Sequence, residues 1–320
     1  MNPAPAEAAR LLTALGVVVL ERGWLSSNSV LFLPRDGGPG TVVDSGYSLH
    51  ADQTEQLLRS RLGARGLGRL VNTHLHSDHC GGNARLQLAF GCEIAVPAAS
   101  FDSVVQWDSG RLTFERTDQH CDRFPTHEAI EPGESVRLGD HDWEAYSTPG
   151  HDPDALVFFQ PDHGVLIAGD ALWQDRLAIV FPELAGEAGF GGVRQTLRLI
   201  ETLRPRFVIP GHGSPFTDVS AALAASRHRL ETFERMPERH LAYALRALVM
   251  FHMLERRERP HAELATWAAR APILRQGMLS AGVPESKIDD VVHETIDKLL
   301  GSGALRRRGA LIRLGREDRE

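Results

Sequence analysis

Short apolar runs alternate along most of this chain with stretches whose apolar residues recur at helical spacing. Runs at 17–20 (Val17, Val18, Val19, Leu20), 29–34 (Val30, Leu31, Phe32, Leu33) and 41–44 predict three strands, the last two separated by the turn Asp36-Gly37-Gly38-Pro39-Gly40. Leu57, Leu58 and Leu62 mark a helix over 51–62 that Gly63 stops. A strand at 67–71, a helix at 83–90 closed by Gly91 and a strand at 92–96 stopped by Pro97 follow. Beyond them the pattern gives a strand at 143–146, a hairpin of 155–159 and 164–168 turning at Pro161-Asp162-His163-Gly164, a helix at 192–203 and a strand at 206–209. Such alternation predicts a layered α/β domain. Residues 100–135 are polar and show no period. They read as a surface insertion or a lid, with His120, Cys121 and His127 in solvated loops.

After residue 217 the pattern turns helical. The stretch 226–255 contains one distinct helix at 242–254, others follow at 262–269 and 285–300, and 301–305 with 311–314 suit a small hairpin. Three helices and a hairpin resemble a winged helix. The expected organisation is an α/β domain over 1–218 and a small, mainly helical, winged-helix-like domain over 219–320.

The densest chemistry stands just after the 67–71 strand, in Thr73-His74-Leu75-His76-Ser77-Asp78-His79-Cys80-Gly81-Gly82. Imidazole and carboxylate together suit Zn, Fe and Mn. His74 and His76 are two apart, so on extended chain they point to one side. Asp78 and His79 follow where the strand gives way to a loop and can face a second ion, while Gly81 and Gly82 permit a tight turn beneath. A lone histidine would read as a core or surface residue, but this grouping reads as a metal site, because buried charges must be paired or coordinated. Further along, Thr148-Pro149-Gly150-His151, Gly169-Asp170 and Pro210-Gly211-His212-Gly213 each end a strand with a ligand-type residue beside glycine.

The His74–His79 string resembles the HxHxDH signature of the metallo-β-lactamase-fold superfamily, and the later elements resemble that family's TPGH, bridging aspartate and PGHG in the same order. The resemblance covers roughly residues 15–216. It implies an αββα sandwich with metal ions at one edge, between the two sheets. Position by position it implies that His74, His76 and His151 hold a first ion, that Asp78, His79 and His212 hold a second, and that Asp170 bridges them. Asp44, at the end of the third strand, would sit behind the ligands and order them, since metal-bound histidine usually donates its free N–H to such a group. Its other reading is a strand-end turn acid. The implied cofactor is two divalent ions, Zn2+ first and Fe or Mn as alternatives. The implied reaction is hydrolysis by a hydroxide generated at the dinuclear site, with Asp78 orienting it or accepting its proton. Asp152-Pro153-Asp154 departs from the family pattern, where many relatives carry serine or threonine and glycine.

Composition narrows the function. The 320 residues are 42% hydrophobic and 24% charged, as in ordinary soluble globular proteins. A net charge of −7 does not mark a nucleic-acid binder. Three cysteines, Cys80, Cys92 and Cys121, make no disulfide framework and suit a reducing compartment, with Cys80 read as a packing residue. Apolar residues over 11–20 lack a following small-x-small cleavage site, and no run is long enough to span a membrane, so a cytoplasmic chain is expected.

The third tail helix carries Glu285, Asp289, Asp290, Glu294 and Asp297 against Lys287 and Lys298, a face that repels phosphate, whereas Arg306-Arg307-Arg308 argues the other way. Packing or homodimerisation is therefore the expected role of the tail. The leading function is hydrolysis of an ester, thioester or lactone of a small molecule, broadly similar to glyoxalase II, although the basic residues that would grip glutathione are not identifiable from sequence. The alternative is a phosphodiesterase or endoribonuclease, which the resemblance of the tail supports. A β-lactamase is the weaker reading, because those enzymes generally lack the bridging aspartate. Among oxidoreductase relatives, the flavodiiron type usually has Glu where this chain has His76 and the sulfur dioxygenases use one iron, so the full ligand set argues against both. A non-enzymatic, metal-stabilised interaction protein is disfavoured because structural zinc sites are closed by four ligands. Trp24, Trp107, Trp173 and Phe181 are candidate pocket walls, with buried core as their commoner role.

Overall fold

The computed structural model describes residues 5–315. Two sheets face each other. The first has six strands in the order β1 (Val17–Leu20), β2 (Ser29–Phe32), β3 (Gly40–Val43), β4 (Leu67–Val71), β5 (Glu93–Pro97) and β6 (Glu128–Ile130). Strands β1 to β3 are antiparallel neighbours, and β3 to β6 run parallel. The second sheet joins β7 (Ser135–Leu138), β8 (His141–Ser147), β9 (Leu156–Gln160), β10 (Val165–Gly169) and β11 (Phe207–Pro210) in chain order. Its pairs are antiparallel except β10 with β11.

Side-chain alternation explains the layering. Val30 and Phe32 of β2 point between the sheets, where they meet Trp143, Phe158 and Ile167, while Leu31 points outward. Outside the first sheet, helices Ala51–Leu62, Asn83–Phe90 and Ala98–Gln106 supply Leu58, Leu62, Leu86 and Val104. Outside the second, Phe190–Leu203 and Val219–Arg235 supply Val193, Leu197, Leu223 and Leu230. The result is the expected αββα sandwich. The helix Val219–Arg235, which the sequence groups with the tail, shares the outer core of the second sheet.

Several elements escape the pattern reading. Helix Pro5–Leu15 lies on β1 and buries Leu15 at the rim of the inter-sheet core. The aperiodic stretch 100–135 holds most of the helix Ala98–Gln106, the turn Phe114–Thr117 and the edge strand β6, with Leu112, Phe114 and Phe124 buried. Helix Pro272–Ser280 starts with proline at its first turn, where the missing N–H costs nothing.

The tail packs helices Pro237–Arg256, His261–Arg270, Pro272–Ser280 and Ile288–Gly301 around Leu245, Met253, Leu264, Met278 and Ile296. A three-stranded sheet closes it, in the order β12 (Glu258–Pro260), β14 (Leu311–Leu314), β13 (Leu305–Arg308). The tail thus has one more helix and one more strand than the three helices and hairpin expected from the sequence. Ile179 and Leu184 of the preceding part are buried in the same core. None of the described helices is long and apolar enough to cross a membrane.

Candidate metal centre

The loops after β3, β4, β8, β10 and β11 leave the same edge of the sandwich and meet. The loop after β4 carries His74 and His76 and then makes one helical turn, Ser77–Cys80, which presents Asp78 and His79. The loops after β8, β10 and β11 bring His151, Asp170 and His212. All seven residues singled out in the sequence therefore converge. His76 Nδ1 lies 3.1 Å from His74 Nε2 and 2.8 Å from His151 Nε2. His212 Nε2 lies 3.0 Å from Asp78 Oδ2. Asp170 stands between the two halves, with Oδ2 3.4 Å from His151 Nε2 and Oδ1 3.3 Å from His79 Nε2 and 3.9 Å from His212 Nε2.

Hydrogen bonds behind the cluster fix which ring nitrogen faces inward. The Asp44 carboxylate accepts from the Thr73 backbone N–H (2.9 Å), the Thr73 hydroxyl (2.8 Å) and His79 Nδ1 (2.8 Å). Asp44 has φ 60, a left-handed conformation that aspartate tolerates better than most side chains. His74 Nδ1 lies 3.1 Å from the Thr73 hydroxyl, whose own proton goes to Asp44, so His74 is the donor there. His151 Nδ1 donates to the Ile179 carbonyl at 2.6 Å. In His74 and His151, Nε2 is left with its lone pair toward the centre, and His79 likewise turns Nε2 inward.

Two partners were not legible in the sequence. Asp152, in the departure after TPGH, is buried with Oδ2 3.5 Å from His76 Nε2. Trp173 donates its indole N–H to Asp170 Oδ1 at 3.1 Å. The sequence offers for Asp152 only that it is an acid directly after His151.

The electrostatics suit cations. Burial, reinforced by the neighbouring imidazoles, holds His74 well below the usual histidine range and His76 at about 3, and burial also lowers His151. These rings are neutral and free to ligate. Burial by itself would raise Asp170 and Asp78, but His79 and His212 outweigh it and keep both ionised. Burial would lower His79, yet Asp170, Asp44 and Asp78 outweigh it and hold it well above its ordinary value. The carboxylates thus demand positive charge at this point. His79 Nε2 is buried and makes no hydrogen bond among the described residues. Ligand atoms of His74, His76 and His151, of His74, His79 and Asp170, and of Asp78, His79 and His212 lie within 4.8 Å of one another in each set. Inward lone pairs, ionised carboxylates and an orphaned nitrogen fit divalent metal.

A cavity of about 510 Å³ opens over Asp78, Asp170 and His212. Trp24, Trp173 and Phe181 line it, whereas Trp107 packs against Phe114 and Phe124 away from the centre. Phe181 lies 4.6 Å from His76 between ring centroids, and Trp24 stacks on His212 at 5.2 Å. Cys80 is buried with its Sγ 3.8 Å from that of Cys121 and faces away from the cluster.

An αββα sandwich with a His/Asp cluster at the edge where its sheets meet defines a class of metal-binding α/β proteins. The chain belongs to one family within it: the model of the metallo-beta-lactamase superfamily matches residues 22–212, which include all seven cluster residues. A hydroxyacylglutathione hydrolase of Methylococcus capsulatus is 32% identical over 146 residues, 45% of this chain and 46% of that protein. The chain thus spans less than half the length of this relative. An acyl-coenzyme A thioesterase MBLAC2 of Homo sapiens is 23% identical over 222 residues, 62% of this chain and 78% of that one. The structure of a beta-lactamase domain protein from Burkholderia ambifaria superimposes with a TM-score of 0.57 at 20% identity, covering 93% of this chain and 89% of that one, so the shared fold extends into the tail.

Proposed function

We propose that this chain is a metal-dependent hydrolase of small-molecule thioesters. Two divalent ions, zinc in the first place, would be held by His74, His76 and His151 and by Asp78, His79 and His212, with the Asp170 carboxylate available to both sets. The observation that carries the reading is the convergence of these seven side chains, five of which (His76, Asp78, His151, Asp170 and His212) line a mostly apolar cavity. A structural zinc site would be closed and would not need such a cavity. The relatives' names, an acylglutathione hydrolase and an acyl-coenzyme A thioesterase, support thioesters over the ester and lactone alternatives.

Divalent ions at this position supply Lewis acidity, which lowers the pKa of water to about 7 and polarises a carbonyl oxygen. The chain's own residues do the rest. Asp78, ionised and on the cavity wall, orients the attacking water and accepts its proton. Trp173 and the Ile179 carbonyl hold Asp170 and His151 in place, so little reorganisation accompanies reaction. Phe181 and Trp24 shield the imidazoles beneath them from bulk water.

The test pairs elemental analysis with a panel of an acyl thioester, a p-nitrophenyl ester, a homoserine lactone and bis(p-nitrophenyl) phosphate. Two ions per chain, fastest turnover of the thioester and a loss of at least about a thousandfold in His76→Ala are expected. A protein that carries both ions and cleaves none of the panel is not a hydrolase of this kind. Fastest turnover of the phosphodiester would establish the nuclease reading instead.

A further inference from the structure

The cavity has a far wall that hydrolysis alone does not require. Helix Pro237–Arg256 is apolar on two faces. One buries Leu241, Leu245, Leu248 and Met253 in the tail core. The other presents Ala247, Met250, Phe251 and Leu254, each only partly buried, to the cavity, and Leu299 of the helix Ile288–Gly301 joins them. This stripe is continuous with the space over the metal centre.

Toward the start of the same helix the wall changes character. Tyr243 donates its hydroxyl to the Leu177 carbonyl at 2.8 Å, and the charges of Arg229, Arg176 and Arg246 all reach it. The Arg176 guanidinium sits 4.8 Å from the centroid of Trp24, which itself stacks on His212. Arg246 is half-buried, lines the cavity and forms no ion pair or side-chain hydrogen bond among the described residues. By contrast Lys298, also on the wall, is paired with Glu294 at 2.7 Å. In a chain of net charge −7, a partly desolvated guanidinium left without an acid is a vacancy for an anion. A volume of about 510 Å³ is that of a site for a drug-sized ligand, far more than a scissile group occupies.

We infer that the cavity selects thioesters joining an unbranched apolar acyl chain to a polyanionic thiol. The acyl chain lies along Ala247, Met250, Phe251 and Leu254, and the anionic groups are met by Arg246 and Arg176. The inference rests on the thioesterase reading and adds the substrate class to it. In the reaction, water oxygen bonds to the acyl carbon and the carbon–sulfur bond breaks. The sulfur leaves with the bonding pair and takes a proton, giving one carboxylic acid and one thiol, with no oxidant or reductant consumed. The tail helix is then a specificity wall in addition to any packing role.

The experiment uses the metal-loaded full chain. Acyl-coenzyme A thioesters from acetyl to dodecanoyl are compared with N-acetylcysteamine thioesters of the same chains, released thiol being read optically. Binding of S-octyl-coenzyme A, a thioether that cannot be hydrolysed, is followed by calorimetry. We expect kcat/KM to rise by about three- to fourfold per added methylene until the groove is full. Ala247→Trp should remove the preference for long chains while sparing acetyl. Arg246→Gln should lower kcat/KM for octanoyl-coenzyme A by about tenfold relative to octanoyl-N-acetylcysteamine, mainly through KM, and weaken S-octyl-coenzyme A to the same degree. Arg306→Gln, an exposed arginine remote from the cavity, serves as the unchanged control. Hydrolysis that is flat with chain length and indifferent to both wall variants overturns the inference and leaves the hydrolase reading standing. Tight, Arg246-dependent binding of the thioether without hydrolysis of any thioester does the reverse. Absence of thioether binding overturns the inference outright.

Discussion

Gly211 shows how closely the cluster is fitted. A Cβ at this position would lie 2.3 Å from Asp170 Oδ1 and 2.8 Å from His79 Cε1. Its N–H donates to the Gly169 carbonyl and its own carbonyl accepts from Asn28 N–H, both at 2.7 Å, so the backbone is held and cannot retreat. Gly211→Ala therefore pushes Asp170 off its position between the two halves while leaving the core strands untouched. The expected outcome is a chain that folds with wild-type circular dichroism but binds metal about 10- to 100-fold more weakly, the usual scale for disturbing the surroundings of a ligand. Titration against a chromophoric chelator measures it, and unchanged affinity would show that Asp170 is not a ligand.

At the scale of elements, helix Pro237–Arg256 carries two histidines that burial keeps neutral. His240 Nε2 accepts the Val180 N–H at 3.1 Å, and His252 stacks on Trp267 with neither nitrogen hydrogen-bonded among the described residues. Burial lowers both to about 4; for His252 the charges of Arg259 and Arg256 add to it. Between pH 6.5 and 4 the unfolded chain binds protons at these positions and the native chain does not. Stability from this source is thus complete above pH 6.5 and falls as pH drops toward 4, by about 1.4 kcal/mol per pH unit for each histidine. His252→Phe, which keeps the stack, should remove one such contribution: urea midpoints should match the wild type or exceed it at pH 7 and decline less steeply below 6.5. An unchanged slope would mean that His252 is protonated in the native state.

The same helix shows where sequence reading reaches its limit. Strands such as β2 and β10 were legible because they are continuous apolar runs, and the candidate metal ligands because four of them share one short loop and the rest follow glycine-marked strand ends. Helix Ala98–Gln106 was not, because Ser100, Ser103 and Val104 form a small and mostly polar buried face. Nor could the cavity wall be read. Met250, Phe251 and Leu254 look like core residues in sequence, and only the packing of the tail over the sandwich decides which apolar face meets protein and which meets open space. Asp152 likewise gains its role from a loop that folds it back onto His76, a closure no local spacing encodes.

For the molecule as a whole, the tail and the candidate metal centre meet in the loop 177–181. The Leu177 carbonyl takes the Tyr243 hydroxyl, the Val180 N–H goes to His240, and Ile179 buries its side chain in the tail core while its carbonyl holds His151. One segment thus answers to both cores, and loosening the tail must loosen His151. Leu264→Ala, at a fully buried tail position, should cost roughly 2–5 kcal/mol. Hydrogen exchange should then show the amides of 177–181 losing protection together with those of Pro237–Arg256, while β8 and β9 stay protected, and dialysed protein should retain less metal. Were the tail amides to exchange faster with 177–181 still protected and metal content unchanged, the two cores would be mechanically independent, and the tail would form a wall of the cavity without supporting its floor.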